Sequence, residues 1–305
     1  RLVGSEMCIR DSVYASEEQA YEDLVAGRLD VLTRIPAEKL GSFEKELGAR
    51  ALTKPGGSIM EITIPANDAN FRGEAGRLRR RALSMAVDRE KIARDIFHDR
   101  VTPANSFVAP LFGSPPPAPE GADVLTYQPD RARELWEQAE KLDPFKGTFS
   151  IAFNADGGHK TWVDAVAQQV TDTLGVLAES KEFGTLKELR REVTARHITG
   201  AFRTIWQAEF PDESTFLVPL FASYSSENES GFRSTEYDEL LKKVGQAKDR
   251  EEAQEYYLQA QELLLEKMPA IPLWTTKAFS AYGKDIIPAG YTWKPTPNYY
   301  LIHRA

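Results

Sequence analysis

Apolar and polar positions alternate with two different periods along the chain, most clearly in its second half. The pattern predicts strands over residues 148–153, 176–183 and 202–206, separated by helices over 161–174 and 185–196. Strands that alternate with helices of this length favour an α/β unit, in which helices cover a sheet. The pattern therefore predicts the α/β fold class.

The remaining periodic segments extend this arrangement. Ser58 to Ile64 alternates as a mostly buried strand does, and two more strands are predicted over 29–32 and 270–274. Further helices are predicted over residues 16–27, 36–47, 76–89, 89–98, 130–141, 236–244 and 250–267. Ser16 is the candidate N-cap of the first helix, which Gly27 ends.

Three segments lack a regular pattern. Residues 101–126 are interrupted by prolines and predict a long loop, and residues 274–305 predict an aromatic, loop-rich end. Residues 1–12 resemble translated adaptor sequence rather than a protein element, and they contain the chain's single cysteine, Cys8. The rest of the chain therefore has no thiol nucleophile, disulfide or cysteine metal ligand.

Composition narrows the choice of function. The formal net charge is −8 with acids and bases mixed, which argues against nucleic acid as a partner. Arg77, Arg79, Arg80 and Arg81 form a basic run that a nucleic-acid helix could carry. The alternative, which we favour, is a solvated helix face, because Leu78, Leu83 and Ala86 need the opposite face for a core.

The segment Ile205–Glu213 combines an indole, carboxylates and a proline directly after a predicted strand. Trp206 and Glu209 would be delivered by the strand end into a rigid loop, which is a common way to build a polar binding site. A buried carboxylate needs a cationic partner. The partner of Glu209 is either a ligand or a local arginine, Arg203 or Arg233.

Catalytic motifs give little support for an enzyme. No nucleophile elbow, phosphate-binding Walker loop or zinc-binding H-E-x-x-H occurs, and the four histidines have no metal-ligand spacing. Gly157–Lys160 begins a helix after a strand and could bind an anion, although the spacing is poor for a phosphate loop. The many carboxylates leave open a catalytic pair of acids like that of glycosidases, so a hydrolase is the alternative function.

Several blocks resemble, in order, the bacterial extracellular solute-binding proteins, family 5, of ABC transporters. The most specific is Arg80–Ile92, R-R-A-L-S-M-A-V-D-R-E-K-I. The other blocks are Gly27–Val31, Pro103–Pro110, Tyr127–Leu135, Trp206–Leu217, Asn228–Leu241 and Ala253–Pro272. Gln128 and Glu209 stand where the family commonly has aspartate.

The resemblance implies a periplasmic-binding-protein-like α/β fold of class II, or cluster C, type, with one nearly complete lobe plus part of the other. Residues 13–56 would be part of lobe one, 57–273 the second, ligand-binding lobe, and 274–305 a return to lobe one. The strands near 58 and 272 would form the hinge. The export signal and much of lobe one would lie outside this sequence.

The resemblance also implies roles for individual residues. Glu209 would hold a ligand ammonium group, and Arg203 and His159 would hold a ligand carboxylate. The alternatives are a structural ion pair for Arg203 and a surface position at a helix start for His159. Trp206 would pack against the ligand or the hinge, and the alternative is a plain core position.

Ile59, Met60 and Trp274 would line the cleft near the hinge strands. Arg89 would instead brace helices through an ion pair.

The implied function is a substrate-binding receptor that captures peptides or a similar small solute and delivers it to a membrane permease. It would act as a monomer, in the periplasm or another extracytoplasmic location, with lipid anchoring left open. No catalytic residue, cofactor or metal is expected. Besides a hydrolase, a sensor or interaction module derived from the receptor fold remains an alternative.

Overall fold

A computed structural model describes residues 9–111, 118–288, 293–294 and 296–304. Cys8 and Pro115 to Pro117 lie outside the described residues, as does most of the predicted adaptor-like segment 1–12. The described chain forms a seven-stranded mixed sheet with helices packed on both faces, and a separate two-stranded sheet near its end, which confirms the α/β prediction.

Ten α-helices occur in the described ranges, most of them where the periodicity predicts one. They are α1 Glu17–Val25, α2 Phe43–Leu47, α3 Gly73–Met85, α4 Arg89–Asp95, α5 Pro129–Leu142, α6 Lys160–Leu174, α7 Leu186–Thr194, α8 Ser214–Phe221, α9 Thr235–Val244 and α10 Arg250–Lys267. The side chain of Ser16 accepts a hydrogen bond from the Gln19 amide, so it caps α1 as predicted.

The described strands number nine and include the three that the helix–strand alternation predicts. They are β1 Val31–Leu32, β2 Ala51–Thr63, β3 Val101–Pro103, β4 Phe149–Asn154, β5 Ala178–Phe183, β6 Ala201–Gln207, β7 Ala270–Tyr282, β8 Ile286–Ile287 and β9 His303–Arg304. The large sheet has the order β1-β7-β2-β6-β4-β5, with β3 also paired to β7. The pairs β4–β5 and β4–β6 are parallel, and β2 lies antiparallel between β6 and β7.

The two longest strands, β2 and β7, extend well beyond the predicted segments 58–64 and 270–274. They pair from Ala51 opposite Ala281 to Thr63 opposite Ala270, with register shifts between Pro55 and Ile59 and between Met60 and Glu61. The Pro-Gly-Gly sequence in β2 suggests a turn locally. Pairing with β7 keeps the segment extended, because a strand ladder is stabilised by a distant partner and not by its own sequence.

Other predicted boundaries are wrong for identifiable reasons. The predicted helix 36–47 is divided into a 3₁₀ turn at Ala37–Lys39 and α2, with Gly41 and Ser42 between them. The predicted loop 101–126 contains β3 and a 3₁₀ turn at Ala122–Leu125. Proline is tolerated in β3 because it ends a short edge strand.

The arginine run on α3 is not a solvated face as predicted. Arg79 is fully buried; it donates to Glu140 Oε1 at 2.9 Å and to the carbonyl of Asn70, and packs on Trp136. A buried guanidinium has five donors and a charge to satisfy, and α5 supplies the carboxylate. Arg79 therefore links α3 to α5 and to the turn before α3.

Arg89 braces the structure as predicted, but without an ion pair. The buried guanidinium donates to the carbonyl oxygens of Pro272, Ser84 and Val87. It therefore ties the start of α4 to β7.

Three separate hydrophobic clusters accompany the sheet in the described chain, and one of them packs α7 against β4 and β6 through Ala152, Leu189, Val193, Ile198 and Phe202. The main core covers both faces of the sheet's centre, and a smaller cluster around Tyr21, Leu24, Phe43 and Ala281 packs α1 and α2 against the far end of β7. The lobe division at 13–56, 57–273 and 274–305 remains our proposal.

Candidate functional site

The strand β6 carries its polar and exposed residues on one face. Side chains alternate across a strand, so Arg203, Ile205 and Gln207 point to one side, and Thr204 and Trp206 to the other. Ile205 is 39% exposed, so an apolar side chain meets solvent on the Arg203 side of β6. Arg203 is half-buried and Gln207 is exposed, so this face opens to solvent towards the end of β6.

Thr215, buried at the start of α8, anchors the loop that follows β6. Its carbonyl oxygen accepts from Trp206 Nε1 at 2.7 Å, and its hydroxyl accepts from the Glu209 amide at 2.9 Å. Asp212 holds the same helix start, because its carboxylate accepts from the Ser214 amide at 2.9 Å. The backbone of Glu209 is therefore fixed while its side chain remains exposed.

Glu209 has no ion pair or side-chain hydrogen bond with any residue in the described part of the chain. The alternative that Arg203 or Arg233 neutralises it is therefore wrong for this structure. An exposed carboxylate on a fixed backbone is available to a ligand cation. This arrangement is compatible with the predicted role of Glu209.

Arg203 is held by an amide and not by an acid. Its Nε donates to Asn154 Oδ1 at 2.7 Å, and its Nη2 donates to the same oxygen. Asn154 Nδ2 in turn donates to Asp156 Oδ1. Burial lowers the pKa of Arg203, and nearby Arg190 lowers it further. The predicted alternative of a structural ion pair is not found, so the guanidinium is oriented without a directly bonded carboxylate.

His159 lies at the N-terminus of α6 and is buried, with 9% of its surface exposed. The alternative of a surface histidine, which the Gly-Gly sequence before it suggests, is therefore wrong. Trp162 Nε1 donates to His159 Nδ1 at 3.2 Å. Burial lowers the pKa of His159 to about 4, and the Arg203 charge adds to this effect. The imidazole is neutral at pH 7, with Nδ1 acting as an acceptor.

Of the remaining predicted lining residues, Ile59 and Trp274 have side chains in the core. Ile59 is fully buried and pairs with Trp206 on the α8 side of the sheet. Trp274 is fully buried, stacks edge-on against Trp162 and donates to the Arg89 carbonyl. Ile59 therefore packs behind the site, whereas Trp274 lies opposite Met60 and packs against the Trp162 that bonds His159.

Met60 occupies the other face of β2. It lies opposite Ile205 in the register, and 5% of its surface is exposed. The structure thus brings Arg203, His159 and Met60 to one face of the sheet, and Glu209 lies in the loop beyond the end of β6. It places Ile59 and Trp206 on the opposite face.

Asn154, Asp156 and Thr215 were missed by sequence reasoning. Asn154 ends β4, and the carboxyl ends of parallel strands are where α/β folds place ligand-binding groups. That position is the one local signal that could have identified it. The roles of Asp156 and Thr215 depend on contacts across the fold, including a 3.2 Å bond from the Leu186 amide to Asp156.

Among the ranges that the structure describes, no three His, Cys, Asp or Glu side chains are placed to hold a metal ion. None of the described helices is both long and apolar enough to cross a bilayer.

Comparison with known proteins gives consistent matches over most of the chain. The family model for bacterial extracellular solute-binding proteins, family 5 Middle, matches residues 9–228. The dipeptide-binding protein DppE of Bacillus subtilis is 26% identical over 202 residues, covering 64% of this chain and 36% of that protein. The probable deoxycholate-binding periplasmic protein YgiS of Escherichia coli is 27% identical over 273 residues, covering 83% and 46%.

A solved structure gives the same fold. The unliganded, open periplasmic murein tripeptide binding protein MppA superposes with a TM-score of 0.78 at 20% identity, covering 95% of this chain and 56% of that one. The likeness confirms the periplasmic-binding-protein fold. The chain spans less than half the length of the two curated relatives above.

Proposed function

The chain belongs to the bacterial extracellular solute-binding proteins of family 5, and we propose that it is part of an ABC-importer receptor. The receptor captures a peptide or a similar small solute and delivers it to a membrane permease. It acts as a monomer outside the cytoplasm and carries out no covalent chemistry. Binding is coupled to closure of two lobes around the ligand.

One observation carries this proposal: Arg203 on β6 and Glu209 in the loop directly after β6 have opposite charges, and neither is neutralised by a bonded partner among the described residues. Arg203 provides the positive charge and Glu209 the negative one. The two residues are six positions apart, so their Cα atoms are separated by at most roughly 20 Å. Both side chains shorten this gap, which leaves room for an extended peptide of about three to five residues.

The zwitterionic ends of such a peptide match the two charges. The ammonium group pairs with Glu209, and the carboxylate accepts two parallel hydrogen bonds from Arg203. The neutral His159 lies beside Arg203 and adds no competing positive charge at pH 7. Ile205 offers an apolar surface between the two ends.

The proposal is tested by calorimetry with a tetrapeptide in three forms: free, N-acetylated and C-terminally amidated. The longest expressible natural form of the protein should bind the free peptide saturably and without hydrolysis. Glu209→Gln should weaken this binding about tenfold, and it should leave the affinity for the N-acetylated peptide unchanged. Glu236→Gln, an exposed acid on α9, is the matched control.

Two results would contradict the proposal. Hydrolysis of the peptide would favour the hydrolase alternative over a receptor. An unchanged affinity in Glu209→Gln would remove this residue from the site.

A further inference from the structure

A cavity of about 310 Å³ lies where the end of β2, the start of β7 and the turns before α3 and α9 meet. None of its lining residues belongs to the candidate peptide site. The lining contains four cationic side chains and no carboxylate: Arg72, Arg80, Arg233 and Lys267. An excess of positive charge around one cavity is unfavourable without a counter-charge.

The protein supplies little of that counter-charge. Arg72 donates to the Asn67 carbonyl at 2.9 Å, and Arg80 Nε donates to the Lys267 carbonyl at 2.8 Å. Carbonyl oxygens satisfy donors but do not neutralise charge. Arg233 is exposed and has no hydrogen bond or ion pair among the residues described.

The nearby acids have other partners. Glu266 pairs with Lys267 at 2.7 Å, which balances one of the four cations. Glu74 is engaged by Arg77 through two hydrogen bonds. Three guanidinium groups therefore border the cavity without a bonded carboxylate.

We propose that this cavity binds a small multivalent oxyanion of the phosphate class, held by Arg72, Arg80 and Arg233. Guanidinium groups suit such an anion because their planar forks donate paired hydrogen bonds to its oxygens. Arg80 is fixed in place by its two carbonyl bonds, to Lys267 and Phe71, and its Nη2 remains without a partner in the described chain. The two exposed arginines can close on the anion from solvent. The volume lies at the lower end for small-molecule sites, which favours a compact ion over a peptide.

The test is titration calorimetry with pyrophosphate and with inorganic phosphate at low ionic strength, where exposed charges are least screened. Saturable binding of one anion per chain is expected. Arg72→Gln and Arg233→Gln should each weaken it about tenfold. Both side chains are exposed, so neither change should alter the melting temperature without ligand.

Arg94→Gln, an exposed arginine on α4 outside the cavity, is the matched control and should bind as the wild type does. Absence of saturable binding would overturn the proposal, as would equal weakening in all three variants. If the protein sedimented with anionic lipid vesicles but bound neither soluble anion, the proposal would also be overturned. Titration of the same samples with the tetrapeptide measures the proposed receptor function independently of anion binding.

Discussion

Arg203 Nε donates a 2.7 Å hydrogen bond to Asn154 Oδ1, and this amide orients the guanidinium without neutralising it. A carboxylate in the position of Asn154 would form a closed ion pair. The neutral amide leaves the charge of Arg203 available on the exposed face of β6. The neighbouring His159 also adds no charge at pH 7, because burial keeps its imidazole neutral.

Arg203→Gln should weaken binding of the free tetrapeptide about tenfold, because a bidentate, charge-assisted contact is lost. The C-terminally amidated peptide has no carboxylate and should lose little. Calorimetry of both peptides on both proteins measures the difference, with Arg94→Gln as the control. Equal losses for the two peptides would show that Arg203 acts on the fold and not on the ligand carboxylate.

Glu61 should make the protein less stable as pH rises. This residue of β2 is 1% exposed, its Oε1 has no partner in the described structure, and burial raises its pKa to about 8. In the unfolded chain the pKa is about 4.3, so between the two values the unfolded state loses a proton that the folded state keeps. Its stabilising contribution is complete below about pH 4.3 and falls by about 1.4 kcal/mol per pH unit up to about pH 8.

Glu61→Gln removes this titration and keeps the shape of the side chain. The free energy of unfolding of the variant, relative to the wild type, should therefore increase between pH 5 and 8. Urea unfolding at several pH values measures both proteins. Parallel curves across this range would mean that Glu61 is ionised in the folded state.

His159 should have the opposite pH dependence. Its pKa is about 4 in the folded protein and about 6.5 in the unfolded chain. The stability that depends on neutral His159 is complete above about pH 6.5 and is lost as pH falls towards 4. His159→Gln should flatten the acid side of the stability profile, whereas His197→Gln, at an exposed position, serves as the control. A wild-type slope in His159→Gln would contradict this assignment.

Glu140→Gln should destabilise the protein by about 1–3 kcal/mol, because buried Arg79 loses its charged partner. The control is Glu74→Gln, which breaks the more exposed pair with Arg77 and should cost less than about 1 kcal/mol. Urea midpoints with unchanged slopes would measure both effects. Equal costs would show that burial of Arg79 does not increase the strength of its pair.

Local signals in the sequence were sufficient for most helices. The segment Arg250–Lys267 was predicted with its observed bounds, because Asp249 caps it and its helical propensity continues to the last residue. The capping box of Thr185 and Glu188 likewise begins α7 from within its own sequence. Such elements need no information from the rest of the chain.

The sequence predicted which segment carries the candidate site, but not which of its side chains share an exposed face. The sequence places Trp206 and Glu209 in one loop, yet the register of β6 with β2 puts Trp206 and Ile59 on the face opposite Arg203. A strand's alternation separates two faces, and only packing by helices decides which of them meets solvent. Which predicted residues can reach a ligand is therefore a tertiary property.

The sequence by itself determined the α/β class, the family resemblance and the order of the elements, because these depend on local periodicity and on motifs. Only the tertiary structure decided that β2 and β7 continue to Ala51 and Tyr282, and that Arg79 is buried against Glu140. These outcomes join residues that are distant in the chain. Backbone pairing and charge burial are stabilised by their partners in space, which the local pattern of either segment does not contain.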